Sequence, residues 1–561
     1  MLRSLIEIGA GFLVLILSRA PFLKQSSRSG DSSASDPDSG EKGLFFCIPV
    51  IVLFFIFAFL LFHKVTEIPT PWHVDEAGMA YDALSIAEYG VDRYLYKNPV
   101  YFINFGGGQN ALYTYLAALC IKLLGYSVLT IRLPAIILSL AAFIMFVRMV
   151  RRELGESAAL AAAGLFCILP FSVMHSRWAL ESYLLFPMTI ISTSVFTEAA
   201  ASGKTRLYIC SGILFGLTLY SYAIAYIFLV IFLLICLPYL LILKRIRWKQ
   251  LPAMGIPLFL LALPLILMLA VNNGYLDEIR TPLISIPKML KYRSGSFSPK
   301  QILSNLQPGR GNLFYIIFFN DGLMYNAVSK FGTLYYFSIP FILSGFISGC
   351  KNAVKSLQGK KYAMDFMMTA VLLSALLTSL FITEPNINRI NEIYFPLIYF
   401  LCIEILRVIK SRKAAAILMT GIYLVLSAGF IRYYFNDFQK VSDDSVYIAS
   451  IKDLEEALAF AEEVRLDDQQ VFVVGKNQPY IYTILALKTD PYTFDREKIT
   501  EQLDVTSFRH YSFLRYLLWN EIPTDIVYIF RDKKTIPQNV INMGFATKDF
   551  DSIRVYYNPQ Q

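Results

Sequence analysis

The chain has 561 residues, of which 56% are hydrophobic and 17% charged, with a formal net charge of +9; a soluble globular protein carries about 25% charged residues. That balance excludes an ordinary soluble enzyme and points to an α-helical polytopic membrane protein of about 11 to 12 spans. The basic residues fall in short clusters between apolar runs, which argues against nucleic-acid binding. The seven cysteines (47, 120, 167, 210, 236, 350 and 402) lie in or beside apolar segments and read as packing residues, not as a disulfide framework.

Residues 1–43 are an apolar segment carrying Arg3, Glu7 and Arg19, followed by the polar linker QSSRSGDSSASDPDSGEKG. The apolar part fits a span, a surface helix or an uncleaved anchor. The first secure span is 44–62. Pro69 and Pro71 then stop the helix, and a polar, aromatic stretch runs from 71 to 110. Within it Asp75 to Tyr89 reads as an amphipathic helix lying on the membrane surface. Ala77, Ala80, Leu84 and Ala87 share one face, and Asp75, Asp82, Ser85 and Glu88 the other. Its first turn sets Asp75 and Glu76 beside His73, at the depth of a lipid headgroup. The plainer reading of these carboxylates is an N-cap and a complement to the helix dipole.

The next apolar run, NALYTYLAALCIKLLG, reads as a second surface helix. If 131–147 is the following span, Arg148, Arg151 and Arg152 are cytoplasmic. The later clusters then fall on the same side: Lys204 and Arg206; Lys244, Arg245, Arg247 and Lys249; Lys351, Lys355, Lys360 and Lys361; and Arg407, Lys410, Arg412 and Lys413. Apolar runs at 156–173, 182–198, 207–222, 226–243, 252–271, 331–349, 362–382, 390–408 and 414–434 complete a membrane domain over 44–435. Its outer loops are 63–130 and 272–330. Residues 436–561 read as a small α/β domain, with helices near 448–464 and 479–487 and strands at 471–475, 525–530 and 554–558. The charge pattern places it outside the cytoplasm. Asn-x-Ser/Thr sequons are absent, which fits a bacterial plasma membrane.

Two further turns gather polar groups at span ends, where charge is costly unless paired or facing a polar cavity. The segment MHSRWALESYLLFP holds His175, Arg177 and Glu181, and an Arg177–Glu181 ion pair closing a helix end is one reading of it. The segment TEPNINRINEIYFPLIYF holds Glu384, Asn386, Asn388, Arg389, Asn391 and Glu392. Arg280, Lys288, Lys291, Arg293 and Arg310 in the long loop are either phosphate-binding cations on a lid or solvated charges near anionic lipid. Histidine occurs only at 63, 73, 175 and 510, without metal-ligand spacing; a divalent metal held by His73 and His175 with Glu76 or Glu181 is imaginable. Gly-x-Ser-x-Gly and Gly-x-x-x-x-Gly-Lys motifs are absent, against a serine hydrolase or an NTP-driven pump.

An Asp-Glu pair opening a surface helix in the first outer loop, followed by a glycine, an aromatic-Pro-aromatic segment (KNPVYF) and a small-residue turn, resembles the C-type polyprenyl-phosphate-dependent glycosyltransferases (GT-C). The closest branch is that of protein O-mannosyltransferases and lipid A aminoarabinose transferases. The resemblance implies a GT-C-like helical domain with an extracytoplasmic C-terminal α/β domain, and a catalytic aspartate, here Asp75, supported by Glu76. It implies that Arg389 contacts lipid phosphate and that the turn holding Arg177 and Glu181 approaches the donor. His73, His175, Asn388 and Asn391 complete the expected substrate-binding set. The expected reaction is inverting transfer of a sugar from a polyprenyl-phosphate donor to a hydroxyl acceptor, which could be a lipid, a glycan or a protein. A flippase for lipid-linked sugars and a glycan polymerase or ligase are the alternatives.

Overall fold

The computed structural model describes residues 2–19, 39–69, 72–105, 107–289, 302, 313–359, 361, 363–382, 385–438, 450–475, 479–493, 505–517, 522–533 and 536–559. Pro71, Lys291, Arg293, Arg310, Lys360, Glu384 and most of the polar linker lie outside the described residues. The polar linker ends earlier than its composition implies, because α2 (Ser39–Phe62) already begins at Ser39.

The membrane part is a helical bundle. Inside a bilayer every backbone amide must be satisfied within its own segment, so each long apolar run becomes a helix. After α1 (Leu2–Arg19) and α2, the bundle is built from α5 (Val128–Leu154), α6 (Glu156–Ile168), the short α7 (Pro170–His175) and α8 (Leu185–Ser202). It continues with α9 (Thr205–Leu219), α10 (Ala225–Ile242) and α11 (Gln250–Asn272). Beyond a short ribbon of β3 (Ile279–Arg280) and β4 (Ser285–Ile286) and the short α12 (Leu313–Phe318) come α13 (Ile339–Gln358), α14 (Met364–Leu380), α15 (Tyr394–Ser411) and α16 (Lys413–Asn436). Among the described residues six helical segments are long and apolar enough to cross a membrane, and five shorter apolar helices accompany them. The chain is a multi-pass membrane protein. Large apolar side chains such as Phe55, Leu234, Leu260 and Val425 stay exposed on the flanks, as lipid-facing residues do.

Helix ends follow local chemistry. Ser127 and Thr130 cap α5 reciprocally, each side chain taking the other's backbone N–H. The first segment is part of the bundle: Gly11 lies so close to the Phe337 carbonyl that a Cβ there would sit 2.5 Å from it, and Arg19 bonds Glu404 of α15 at 2.7 Å.

Between α2 and α5 lie α3 (Val74–Tyr89), a hairpin of β1 (Tyr101–Asn104) and β2 (Gly107–Asn110), and α4 (Ala111–Leu124). The hairpin packs tightly enough that a Cβ on Gly108 would meet the Tyr101 ring at 1.8 Å. Expected as a surface helix, α3 is instead buried on both faces from Glu76 to Ser85, Asp82 and Ser85 included, while Glu88 stays exposed. The reason lies far along the chain: the C-terminal domain covers it.

That domain holds α17 (Ile451–Val464), β5 (Gln470–Val474), α18 (Pro479–Ala486), β8 (Ile526–Phe530) and β10 (Ile553–Tyr557), each within a few residues of its expected position. Three strands escaped the sequence pattern, β6 (Ser507–Phe508), β7 (Tyr511–Leu514) and β9 (Ala546–Phe550). Together they form a six-stranded mixed sheet in the order β6-β7-β5-β8-β10-β9, with β5 parallel to both β7 and β8. Residues of α3, α4, the first turns of α5 and this domain share one apolar core. Tyr482 donates to the Trp72 carbonyl at 3.1 Å, and Tyr81 donates to the Thr489 carbonyl at 2.6 Å.

Candidate functional site

The site is centred on the N-terminus of α3. His73 is the N-cap, extended in backbone, and its Nδ1 accepts the Asp75 N–H at 3.1 Å. Asp75 projects from the first turn with 47% of its side chain exposed, its Oδ2 3.6 Å from His73 Nδ1. Asn104, at the end of β1, donates Nδ2 to Asp75 Oδ1 at 3.1 Å, and Gln109 of β2 reaches the Asp75 carbonyl at 3.5 Å. The first loop thus presents one carboxylate, fixed at one oxygen and open at the other.

Glu76, the next residue, points the opposite way. It is fully buried, as is its partner Arg132 of α5, which binds it through Nε at 2.8 Å and Nη2 at 3.2 Å. The third guanidinium nitrogen donates to the Val65 carbonyl at 2.7 Å, and the Trp72 ring lies over the group. Glu76 therefore anchors α3 to the bundle and presents no carboxylate to a substrate. Arg132, the residue that explains it, stands at the head of an otherwise apolar run; a charge there requires a partner.

Arg177 also departs from expectation. Its guanidinium forms neither the ion pair with Glu181 nor a surface toward a phosphate. It donates to four backbone carbonyls at and just beyond the end of α2: Leu60, Leu61 at 2.7 Å, His63 at 2.7 Å and Ile68 at 2.8 Å. The last carbonyls of a helix lack intrahelical donors and carry partial negative charge, so a buried arginine satisfies several at once. The Tyr434 and Phe435 rings cover it. Glu181 instead accepts the Asn110 N–H at the start of α4, and Tyr226 donates to the Asn110 side chain at 2.9 Å.

His175 is buried between the Phe171 and Tyr183 rings, with Nε2 3.3 Å from the Asn326 carbonyl. Among the described residues no three His, Cys, Asp or Glu side chains gather as a metal site. The two histidines do not converge: one caps α3, and the other is stacked inside the bundle.

The late turn closes onto the second. Ser182 donates to the Asn388 side chain, while Asn391 Nδ2 donates to the Ser182 carbonyl at 2.7 Å and the Asn388 carbonyl at 2.9 Å. Arg389 is half-buried in the short turn Ile387–Arg389, capped by Asn386. A second route joins this turn to Asp75. Asp321 accepts the Ile387 N–H at 2.9 Å and binds the Asn326 amide at 2.5 Å; Tyr183 bonds the Tyr325 carbonyl and the Asn326 side chain, both at 2.8 Å; and the Tyr325 ring packs on His73. Burial raises the Asp321 carboxyl above its ordinary value, against four hydrogen bonds that lower it. Asn104, Gln109, Asn110, Asp321 and Asn326 are the participants that sequence reasoning did not single out. Asp321 and Asn326 lie in FFNDGLMYN, whose amide and Gly-Asp content marks a turn but not its partner. Glu392, beside them, is wholly buried, with neither carboxylate oxygen hydrogen-bonded.

Residues 110–271 match the family model described as dolichyl-phosphate-mannose-protein mannosyltransferase. No curated protein matches the chain. The fold resembles the crystal structure of ArnT from Cupriavidus metallidurans in the apo state, with a TM-score of 0.53 at 10% identity, over 93% of this chain and 99% of that one. It resembles the same protein bound to undecaprenyl phosphate with a TM-score of 0.51 at 11% identity, over 92% and 98%. The resemblance read from the Asp-Glu loop is borne out at the level of fold: the chain has a GT-C-like fold, a helical membrane bundle with a C-terminal α/β domain.

Proposed function

We propose that this chain is a membrane glycosyltransferase that moves a sugar from a polyprenyl-phosphate donor to a hydroxyl acceptor, with inversion. The observation that carries the reading is Asp75: a half-exposed carboxylate at a helix N-terminus, held at one oxygen, in a site whose Glu76 and Arg177 are closed off by partners. A polyprenyl chain stays in the bilayer, so its phosphate and sugar reach the protein where the membrane ends, at the mouth of the bundle. The similar fold whose crystal structure holds undecaprenyl phosphate supports a lipid-phosphate donor.

In this mechanism Asp75 accepts the proton of the acceptor hydroxyl as its oxygen attacks the anomeric carbon. The bond from that carbon to the donor phosphate breaks, and the lipid phosphate leaves with the electron pair. A single displacement inverts the configuration. General-base catalysis of this kind contributes roughly 10²–10⁴-fold. Arg389, half-buried beside the second and third turns, is the arginine assigned to the departing phosphate, where a placed cation lowers the barrier most. Glu181, Asn388 and Asn391 tie the turns around the site together, Arg177 secures the end of α2, and His73 holds the helix start. A divalent ion, if one takes part, would be held by Asp75 and His73, and loss of transfer on chelation restored by added metal tests that role. The reading places the site and the C-terminal domain on the outer side of a bacterial plasma membrane.

The experiment is transfer of radiolabel from a polyprenyl-phosphate sugar pool to acceptor in membranes holding the wild type or Asp75→Asn at matched expression. Label that depends on Asp75 supports the reading, and the labelled product identifies the acceptor. Equal transfer by both proteins removes the base role.

A further inference from the structure

We propose that Asn104 is the positioning residue of this site: it fixes the Asp75 carboxylate because Arg93, locked on Asp82, dictates which end of its amide faces Asp75. The inference deepens the reading of Asp75 as the base and rests on it.

The geometry is a relay of four side chains. Asp82 and Arg93 are both buried and form a multidentate pair, with Nη2 on Oδ2 at 2.6 Å and Nε on the two oxygens at 3.0 and 3.1 Å. Arg93 Nη2 also donates to the Gly78 carbonyl at 2.7 Å and to Asn104 Oδ1 at 3.3 Å. A guanidinium can only donate, so the amide end it meets is the carbonyl oxygen. The NH2 end of Asn104 is thereby turned to Asp75 Oδ1, 3.1 Å away. An unguided asparagine could present either end to a neighbour; here only the donor can face the carboxylate.

The consequence for Asp75 is directional. Oδ1 is occupied by Asn104. His73 Nδ1 already accepts the Asp75 N–H, so it has no proton to give Oδ2. Oδ2 is left to receive a proton, and the carboxylate plane is set by Asn104. A half-exposed aspartate without this contact would rotate among rotamers, and catalytic groups lose rate steeply when misplaced.

An independent observation supports a dedicated arrangement. Gly78 stands in the middle of α3, where glycine costs a helix about 1 kcal/mol relative to alanine. A Cβ there would lie 2.6 Å from Asn104 Oδ1 and 2.9 Å from Arg93 Nη2. The helix gives up stability at the one place where a side chain would displace the relay.

Asn104→Asp separates positioning from scaffolding. It keeps an acceptor for Arg93, and so preserves the packing, but faces Asp75 with a carboxylate oxygen where the donor was. Asn104→Leu removes both contacts at similar volume. The expected result is a kcat lower by roughly 10- to 100-fold in both variants, the scale of a lost hydrogen bond to a charged group. KM for the polyprenyl-phosphate sugar and binding of undecaprenyl phosphate alone should stay at wild-type values, and Asn104→Asp should keep the wild-type melting temperature. Gly78→Ala should reproduce the kcat loss. Wild-type kcat in both Asn104 variants, with Asp75→Asn inactive, overturns the inference and leaves the base reading intact. A fall in melting temperature that accounts for the activity lost in both variants also overturns it. Full transfer by Asp75→Asn removes the base reading and this inference with it.

Discussion

Asp75 and Glu76 are adjacent, alike in chemistry and opposite in fate. One turn of helix α3 leaves the first half-exposed and sends the second into the bundle. Asp75 keeps 47% of its side chain exposed, whereas Glu76 and Arg132 are sealed at 0%. Arg389 is half-buried in a turn, whereas Arg177 is fully buried and gives both of its terminal nitrogens to backbone carbonyls. Of the two adjacent carboxylates, one is paired for the fold and the other keeps an exposed oxygen. The environment decides, and residue type does not.

The two carboxylates should respond to substitution in opposite ways. Asp75→Asn should reduce transfer by roughly 10²–10⁴-fold while thermal unfolding in detergent is unchanged. Glu76→Gln should do the reverse in kind: about 3–5 kcal/mol of stability lost, because Arg132 is left buried without its counter-charge, with activity falling as folded protein falls. A Glu76→Leu, Arg132→Met double variant should recover much of that loss, and a double variant no better than Glu76→Gln would show that packing, not pairing, is at stake. The arginines sharpen the contrast. Arg389→Met should cost roughly a hundredfold in transfer at unchanged melting temperature. Arg177→Met should lower the melting temperature by freeing the α2 carbonyls, and activity per folded molecule should hold. The smallest effect is expected at the joint with the C-terminal domain: Tyr81→Phe removes one buried hydrogen bond, worth about 1 kcal/mol, leaving the Thr489 carbonyl to be resatisfied.

Much of the architecture was legible because the bilayer leaves few choices. Most apolar runs over 44–434 appear as helices close to the run, but the run 331–349 is displaced to Ile339–Gln358 and the run 156–173 breaks at Leu169 before Pro170; α3 begins at Val74 where the first carboxylate predicted Asp75. The Asp-Glu, Arg177 and Arg389 segments do come together, tied by Glu181 to Asn110 and by Ser182 to Asn388. What could not be read was the role of each charge, since that depends on partners distant in sequence. Arg132 stands 56 residues from Glu76, and Arg177 lies 109 to 117 residues from the carbonyls it binds. The helical periodicity of α3 marked a polar face, but nothing local shows that Arg93 and a domain after residue 450 would bury it. The weak strands β6, β7 and β9 were missed for a related reason: two are two or four residues long, and β9 (ATKDF) is mostly polar.

The contact between Tyr81 and Thr489 spans 408 residues of chain. A ribosome makes the chain from the N-terminus, so α3 emerges long before the domain that covers it. During that interval its inward face, with Tyr81 and Leu84, has no lid, and the aspartate at its tip has no finished surroundings. Covering of α3 is therefore tied to the residues that follow 450. A chain stopped before residue 450 would keep the described helices of the bundle and lack the apolar cover over α3.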